Sequence, residues 1–199
     1  MKKIIDIFLR SLLTGVAIAI GGTVYLSCPN KYLGAFLFGI GLFVILSFGF
    51  NLFTGKVGYA VENKPSYLGE LGIIWLGNFA GAVLLWWICD KATELCNIKL
   101  GDNITSVFIL SFFCGILMFV AADGYKTIQN PVGQILAIFL PVVVFILSGF
   151  EHCVANMYFF TIADLWSVKA FGYLIIMSLG NSIGGILIPL LRKGFVSRA

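Results

Sequence analysis

Six long apolar stretches, at about 7–27, 33–48, 68–89, 104–122, 132–148 and 169–191, follow one another along the chain with short polar runs between them. Two briefer apolar stretches, about 56–62 and 155–163, come after the second and the fifth. A hydrocarbon core needs roughly 20 apolar residues of helix per crossing, and the six stretches are of that order. Inside lipid only helices and closed barrels satisfy every backbone N–H and C=O. Barrel strands alternate apolar and polar positions in runs of about ten. No alternation runs through Val107 to Ala122, so the pattern predicts an all-α integral membrane protein. The longest polar connections, about 90–103 and 123–130, are too short to fold alone.

Between each brief stretch and the long one before it lies a run that should interrupt a helix. The first is Ser47-Phe48-Gly49-Phe50-Asn51-Leu52-Phe53-Thr54-Gly55 and the second is Ser148-Gly149-Phe150-Glu151-His152-Cys153. The two runs repeat. Gly49-Phe50 returns as Gly149-Phe150 about 100 positions later, and Leu76-Gly77-Asn78 returns as Leu179-Gly180-Asn181 about 103 positions later. Small residues follow each triplet, Ala80-Gly81-Ala82 and Gly184-Gly185, and Gly15 and Gly115 open the two halves at a similar offset. The expected organisation is one transmembrane domain over 1–199, with repeat one at about 1–100 and repeat two at about 101–199. It contains six transmembrane helices as two inverted three-helix repeats with broken second and fifth helices. Three crossings per half is odd, so the second half enters from the opposite side. Transporters built this way hold their solute where the broken helices meet, near the midplane. The glycine rows let helix backbones approach closely where lipid supplies no hydrophobic drive.

Composition agrees: 60% of residues are hydrophobic, 11% are charged, and mean hydropathy is +1.02, against about 25% charged in soluble domains. The net charge of +4 comes from basic residues at loop ends rather than on one face, which excludes a nucleic-acid partner. With both termini inside, the inner segments hold Lys2, Lys3, Arg10, Lys56, Lys64, Lys126, Arg192, Lys193 and Arg198, and the outer ones hold Lys31, Lys91, Lys99 and Lys169. Nine against four predicts cytoplasmic termini, and a multi-pass protein of a bacterial or archaeal inner membrane. Met1-Lys2-Lys3 and the apolar run behind it resemble a signal peptide, but the run is long enough to span and no small-residue cleavage site follows. Tyr25-Leu26-Ser27 before Cys28 is likewise a poor lipoprotein site. Five cysteines show no metal spacing. Cys114 and Cys153 lie in apolar segments, while Cys28, Cys89 and Cys96 fall near one face and could pair there.

An ionisable group at membrane depth costs about 2.5–3.5 kcal/mol on insertion scales and so needs a reason. Glu151-His152 is the pair at the predicted break of the fifth span, and His152 is the single histidine. With an unperturbed pKa of about 6.5, a histidine can hydrogen-bond an anion and exchange a proton at working pH. It can equally brace an irregular loop through backbone groups, and the residues alone leave both roles open. Thr54 offers a hydroxyl at the matching break, where a threonine often only caps the backbone. Helix N-termini meeting at the breaks would suit an anion. Among nineteen phenylalanines, Phe38 and Phe145 precede the two breaks, where a ring could form a dry constriction. No Walker sequence, dinucleotide fingerprint, His/Cys metal cluster or serine elbow is present, so neither cofactor nor metal is expected.

Ser148-Gly149-Phe150-Glu151-His152-Cys153-Val154-Ala155-Asn156-Met157 resembles the second-half signature of the formate/nitrite transporter family. Asn51-Leu52-Phe53-Thr54-Gly55 resembles that family's first-half loop, and Leu76-Gly77-Asn78-Phe79 and Leu179-Gly180-Asn181 its helix motifs. The resemblance implies a homopentamer of aquaporin-like protomers, each passing small monovalent anions of weak acids such as formate, nitrite, hydrosulfide, lactate or acetate. His152 would be the central histidine and Thr54 its partner across the pore. Phe38 and Phe145 fall where the family has constriction residues, Leu52 and Phe53 where it has an inner slit, and Glu151 and Asn156 in the supporting shell. The chain departs from the pattern in helix four, where Phe119 replaces an asparagine. It departs again before that helix, where Asn103 stands near the place of a basic residue and Lys99 lies a turn earlier. Lys56 replaces the asparagine that commonly follows Phe-Thr-Gly.

The expected mechanism is passage of the anion with a proton at His152, because a neutral acid avoids the cost of carrying a bare charge through an apolar slit. The rival is a channel for water, ammonia or hydrogen sulfide in which His152 is only structural. A membrane enzyme using Glu151, His152 and Cys153 is disfavoured, since no second catalytic cluster or cofactor site accompanies them.

Overall fold

A computed structural model describes residues 1–86 and 92–196, and all regular structure among them is helical. In the first half α1 (Lys2–Ser27) and α2 (Lys31–Ser47) are followed by the short α3 (Phe53–Lys56), which continues as a 3-10 turn over Val57–Glu62, and by α4 (Tyr67–Val83). A connecting helix, α5 (Thr93–Gly101), leads to the second half: α6 (Ile104–Thr127), α7 (Pro131–Leu147), α8 (Cys153–Ile162) and α9 (Val168–Val196). Lys2–Ser27, Ile104–Thr127 and Val168–Gly194 are long and apolar enough to cross a membrane, while α2, α7 and α8 are shorter apolar helices.

The repeated Gly-Phe pairs are helix stops. Gly49 and Gly149 take φ of +65° and +68°, the left-handed region open to glycine. Each stop closes in the same way: Phe50 N–H donates to Ile45 O at 2.8 Å, and Phe150 N–H to Phe145 O at 2.9 Å. This six-to-one bond is that of the Schellman motif, which satisfies carbonyls a helix end leaves open. Helix starts match as well. Asn30 accepts from the N–H groups of Tyr32 and Leu33 at the head of α2, and Asn130 from those of Val132 and Gly133 at the head of α7.

The repeated asparagines hold the segments behind the stops. Asn78 on α4 accepts from Phe53 N–H at 2.9 Å and donates to Ser11 O and Asn51 O at 2.9 and 2.8 Å. Asn181 on α9 accepts from Cys153 N–H at 2.9 Å and donates to Ser111 O and Glu151 O at 2.7 and 2.8 Å. One buried amide in each half thus ties together three pieces of chain, in the same order. Both asparagines are inaccessible to solvent. They come this close because α1 packs tightly on α4, and α6 on α9, through glycine. A Cβ on Gly81 would lie 1.9 Å from Leu12 O, and one on Gly184 would lie 1.9 Å from Phe112 O.

The third apolar stretch, expected at 68–89, ends its helix at Val83. The connection expected at 90–103 instead contains α5, which buries Cys96 completely. Cys28 and Cys96 are free thiols, and burial pushes that of Cys96 up to about 12. Cys89, the third cysteine of that group, lies outside the described residues.

Candidate functional site

The stop after α7 leaves His152 in extended backbone (φ −98°, ψ 111°) as the N-cap of α8. There its Nδ1 accepts from Ala155 N–H at 3.0 Å. A ring nitrogen that accepts carries no hydrogen, so the neutral ring keeps its proton on Nε2. Nε2 lies 2.9 Å from Thr54 Oγ1, the N–H donating and the hydroxyl accepting. Thr54 sits in α3, behind the other stop, so this bond joins the two halves; the residues are 0% and 2% exposed. Leu52 is the N-cap of α3, in the place His152 has before α8, with no side-chain cap of its own.

Rings continue from the histidine. Phe145 lies 5.7 Å from His152 between ring centroids, and Phe38 meets Phe145 edge-on, also at 5.7 Å. Two hollows lie near this group. One, of about 90 Å³, is lined by Leu52, Gly55, Lys56, Tyr125 and Lys126. The other, of about 60 Å³, is lined by Phe38, Lys99, Gly149, Phe150 and Phe159. Leu52 lines the first hollow and Phe38 the second, while Thr54, His152 and Phe145 line neither. Phe53 is buried and lines neither hollow; its N–H is the group Asn78 holds.

Glu151 is 4% exposed. Its Oε2 accepts from Lys99 Nζ at 2.6 Å and from Asn156 Nδ2 at 2.7 Å. Asn156 Nδ2 also reaches Met177 Sδ, while its Oδ1 is buried with no hydrogen-bond partner among the described residues. Lys99 is the basic residue that the sequence left one turn out of register: α5 carries it inward onto Glu151, with its side chain 11% exposed. Asn103, nearer in sequence, accepts from Ser106 N–H and caps α6. Phe119 is buried against Gly58, where a Cβ would lie 2.2 Å from its ring, and against Tyr59 at 5.4 Å. Its aromatic side chain therefore fills the space beside the 3-10 turn. The sequence places Lys99 a turn before Asn103 but carries no sign of α5, so its pairing with Glu151 is legible only as a lysine a few residues before a span and a buried carboxylate in need of a partner.

The group can bracket a small polar solute with few hydrogen-bonding groups in a dry setting. The Thr54 hydroxyl, by accepting from Nε2–H, keeps its own hydrogen free to donate.

Comparison with known proteins gives a consistent answer. The family model described as "Formate/nitrite transporter" matches residues 1–193. A formate-nitrite transporter of Plasmodium knowlesi is 25% identical, over 92% of this chain and 74% of its own length. The formate channel FocB of Escherichia coli is 26% identical, over 77% of this chain and 65% of its own. Among solved structures, one titled as a pentameric formate channel with formate bound superposes with a TM-score of 0.84. It covers 100% of this chain and 99% of its own at 22% identity.

Proposed function

The chain belongs to the formate/nitrite transporter family, and on that premise we propose that it conducts small monovalent anions of weak acids (formate, nitrite, hydrosulfide or similar) together with a proton past His152. The observation that carries this is the buried Thr54–His152 hydrogen bond, which joins the two halves behind the paired helix stops, with Leu52 lining one hollow and Phe38 the other. The paired stops, paired asparagines and paired glycines support six crossings in two inverted repeats, with α3 and α8 as the inner pieces of broken spans. The likeness to a pentameric formate channel supports a homopentamer. The basic count supports cytoplasmic termini, so the hollow at Lys56 opens inward and that at Lys99 outward.

The tautomer shapes the mechanism. Because Nδ1 holds Ala155 N–H, the ring cannot pass a proton from one nitrogen to the other without releasing the head of α8. The neutral ring donates a hydrogen bond from Nε2 and keeps its proton. The transported proton therefore comes from solution and travels with the solute. The anion, hydrogen-bonded by the Thr54 hydroxyl, takes up a proton that enters through the near hollow, crosses the apolar layers as the neutral acid, and releases the proton in the far hollow, with His152 unchanged at the end. A bare anion in the same place would lose its hydration with one or two donors in return.

Uptake of formate, nitrite, hydrosulfide and lactate into proteoliposomes at external pH of roughly 5 to 8 tests this. His152→Asn is the informative variant, since asparagine caps a helix as histidine does here but is too short to reach Thr54. Flux that rises as pH falls, and is lost in His152→Asn, is expected. Equal flux in both proteins would leave His152 as the cap of α8 only. The Ala155 bond is the specific observation favouring that second reading, a neutral-solute channel.

A further inference from the structure

Two lysines in the inner hollow have no role in the pathway described so far. Lys56, at the end of α3, and Lys126, in the last turn of α6, both line it, alongside Tyr125 and Leu52. Neither belongs to an ion pair among the described residues. Of the carboxylates on neighbouring elements, Asp6 is engaged with Arg10 at 3.0 Å and Asp123 with Arg192 at 2.5 Å and with Tyr59, while Glu62, which also acts on Tyr59, forms no ion pair with either lysine among the described residues. The charges that act on Lys56 are Lys126 and Arg10, both of its own sign. Lys126 leans over the Tyr59 ring at 4.2 Å, which sets its ammonium without neutralising it. Two cations outside any ion pair, Lys56 half-buried and Lys126 exposed, line one small hollow and repel each other, and a bound anion removes that repulsion.

The other hollow is built differently. Its lysine, Lys99, is held by Glu151 at 2.6 Å, so that mouth is electrically balanced. The two entrances therefore differ in net charge although the two halves repeat.

We infer that the hollow at Lys56 and Lys126 is an anion-binding site, holding one small monovalent oxyanion between the two ammonium groups before it reaches Leu52. This rests on the proposed anion pathway for its place in transport, though not for binding itself. A cleft lined by one sign of charge raises the local concentration of counter-ions. About 90 Å³ has room for such an anion with water. The site gives the protein a direction: solute from the face bearing Lys56 saturates at lower concentration than solute from the other.

Formate flux is measured in both directions on oriented proteoliposomes at about 10 mM ionic strength, where the screening length is roughly 30 Å. The readout is the ratio of half-saturation concentrations for the two faces. In Lys56→Gln/Lys126→Gln this ratio is expected to shift by roughly three- to ten-fold towards weaker binding on the Lys56 face, with Lys56→Arg/Lys126→Arg restoring it. A ratio unchanged in the glutamine variant overturns the site. If wild-type protein passes no formate, the transport reading fails by itself. Line broadening of 13C-formate by the detergent-solubilised protein then decides the site: broadening lost in the glutamine variant and kept in the arginine variant supports it, and broadening equal in all three overturns it.

Discussion

His152 carries two hydrogen bonds with different duties. Nδ1 finishes the head of α8, and Nε2 presents a proton to Thr54. The sequence marks the residue by its position at a helix break and leaves it open between brace and solute contact; the structure shows the brace at Nδ1 and leaves Nε2 bonded to Thr54. Glu151 was legible as a neighbour, but its partner was not, because Lys99 reaches it across 52 positions of chain from a helix that no apolar period announces. A buried ion pair broken on one side leaves an uncompensated charge, which costs about 3–5 kcal/mol. Lys99→Met should accordingly lower the thermal stability of the purified protein sharply. Adding Glu151→Gln to that variant should recover much of the loss. Additive losses in the double variant would mean that the two side chains act independently.

At the scale of elements, the repeat was visible as four short motifs, and the structure gives each a physical task. Gly-Phe ends a helix through a left-handed glycine, and Leu-Gly-Asn carries the amide that ties the following segment to the first helix of its half. Extent was less visible. Helix α4 stops at Val83 although apolar residues run on, and α3 gives way to a 3-10 turn where Gly58 lets Phe119 press in. Hydropathy reports which residues avoid water, and it does not report where a backbone turns. Glycines separate into two kinds on the same grounds. Gly81→Ala or Gly184→Ala would drive a methyl into a backbone carbonyl, and overpacking of this sort costs roughly 1–3 kcal/mol or more. Gly72→Ala and Gly172→Ala meet nothing within 4 Å. Expression and size-exclusion profiles should fall for the first pair and match wild type for the second. Equal behaviour of all four would contradict the packing described for α1 on α4 and α6 on α9.

For the whole molecule, membrane character and family were legible from end to end, since hydropathy and the break motifs are properties of the chain itself. The difference between the two mouths was not, because it arises from which lysine meets a carboxylate. Large apolar side chains such as Leu9, Phe36, Phe113, Leu140, Leu179 and Leu190 lie exposed on the outside of the protomer, as lipid or neighbouring copies would require. On the proposed pathway the polar layer at Thr54 and His152 is the step every solute takes. The measurement that tests it most directly follows formate uptake and internal pH together in the same proteoliposomes, with and without an imposed membrane potential. One proton should enter with each formate, at a rate indifferent to potential, and no proton should move when formate is absent. Formate entry that follows the potential and leaves internal pH unchanged would contradict the account.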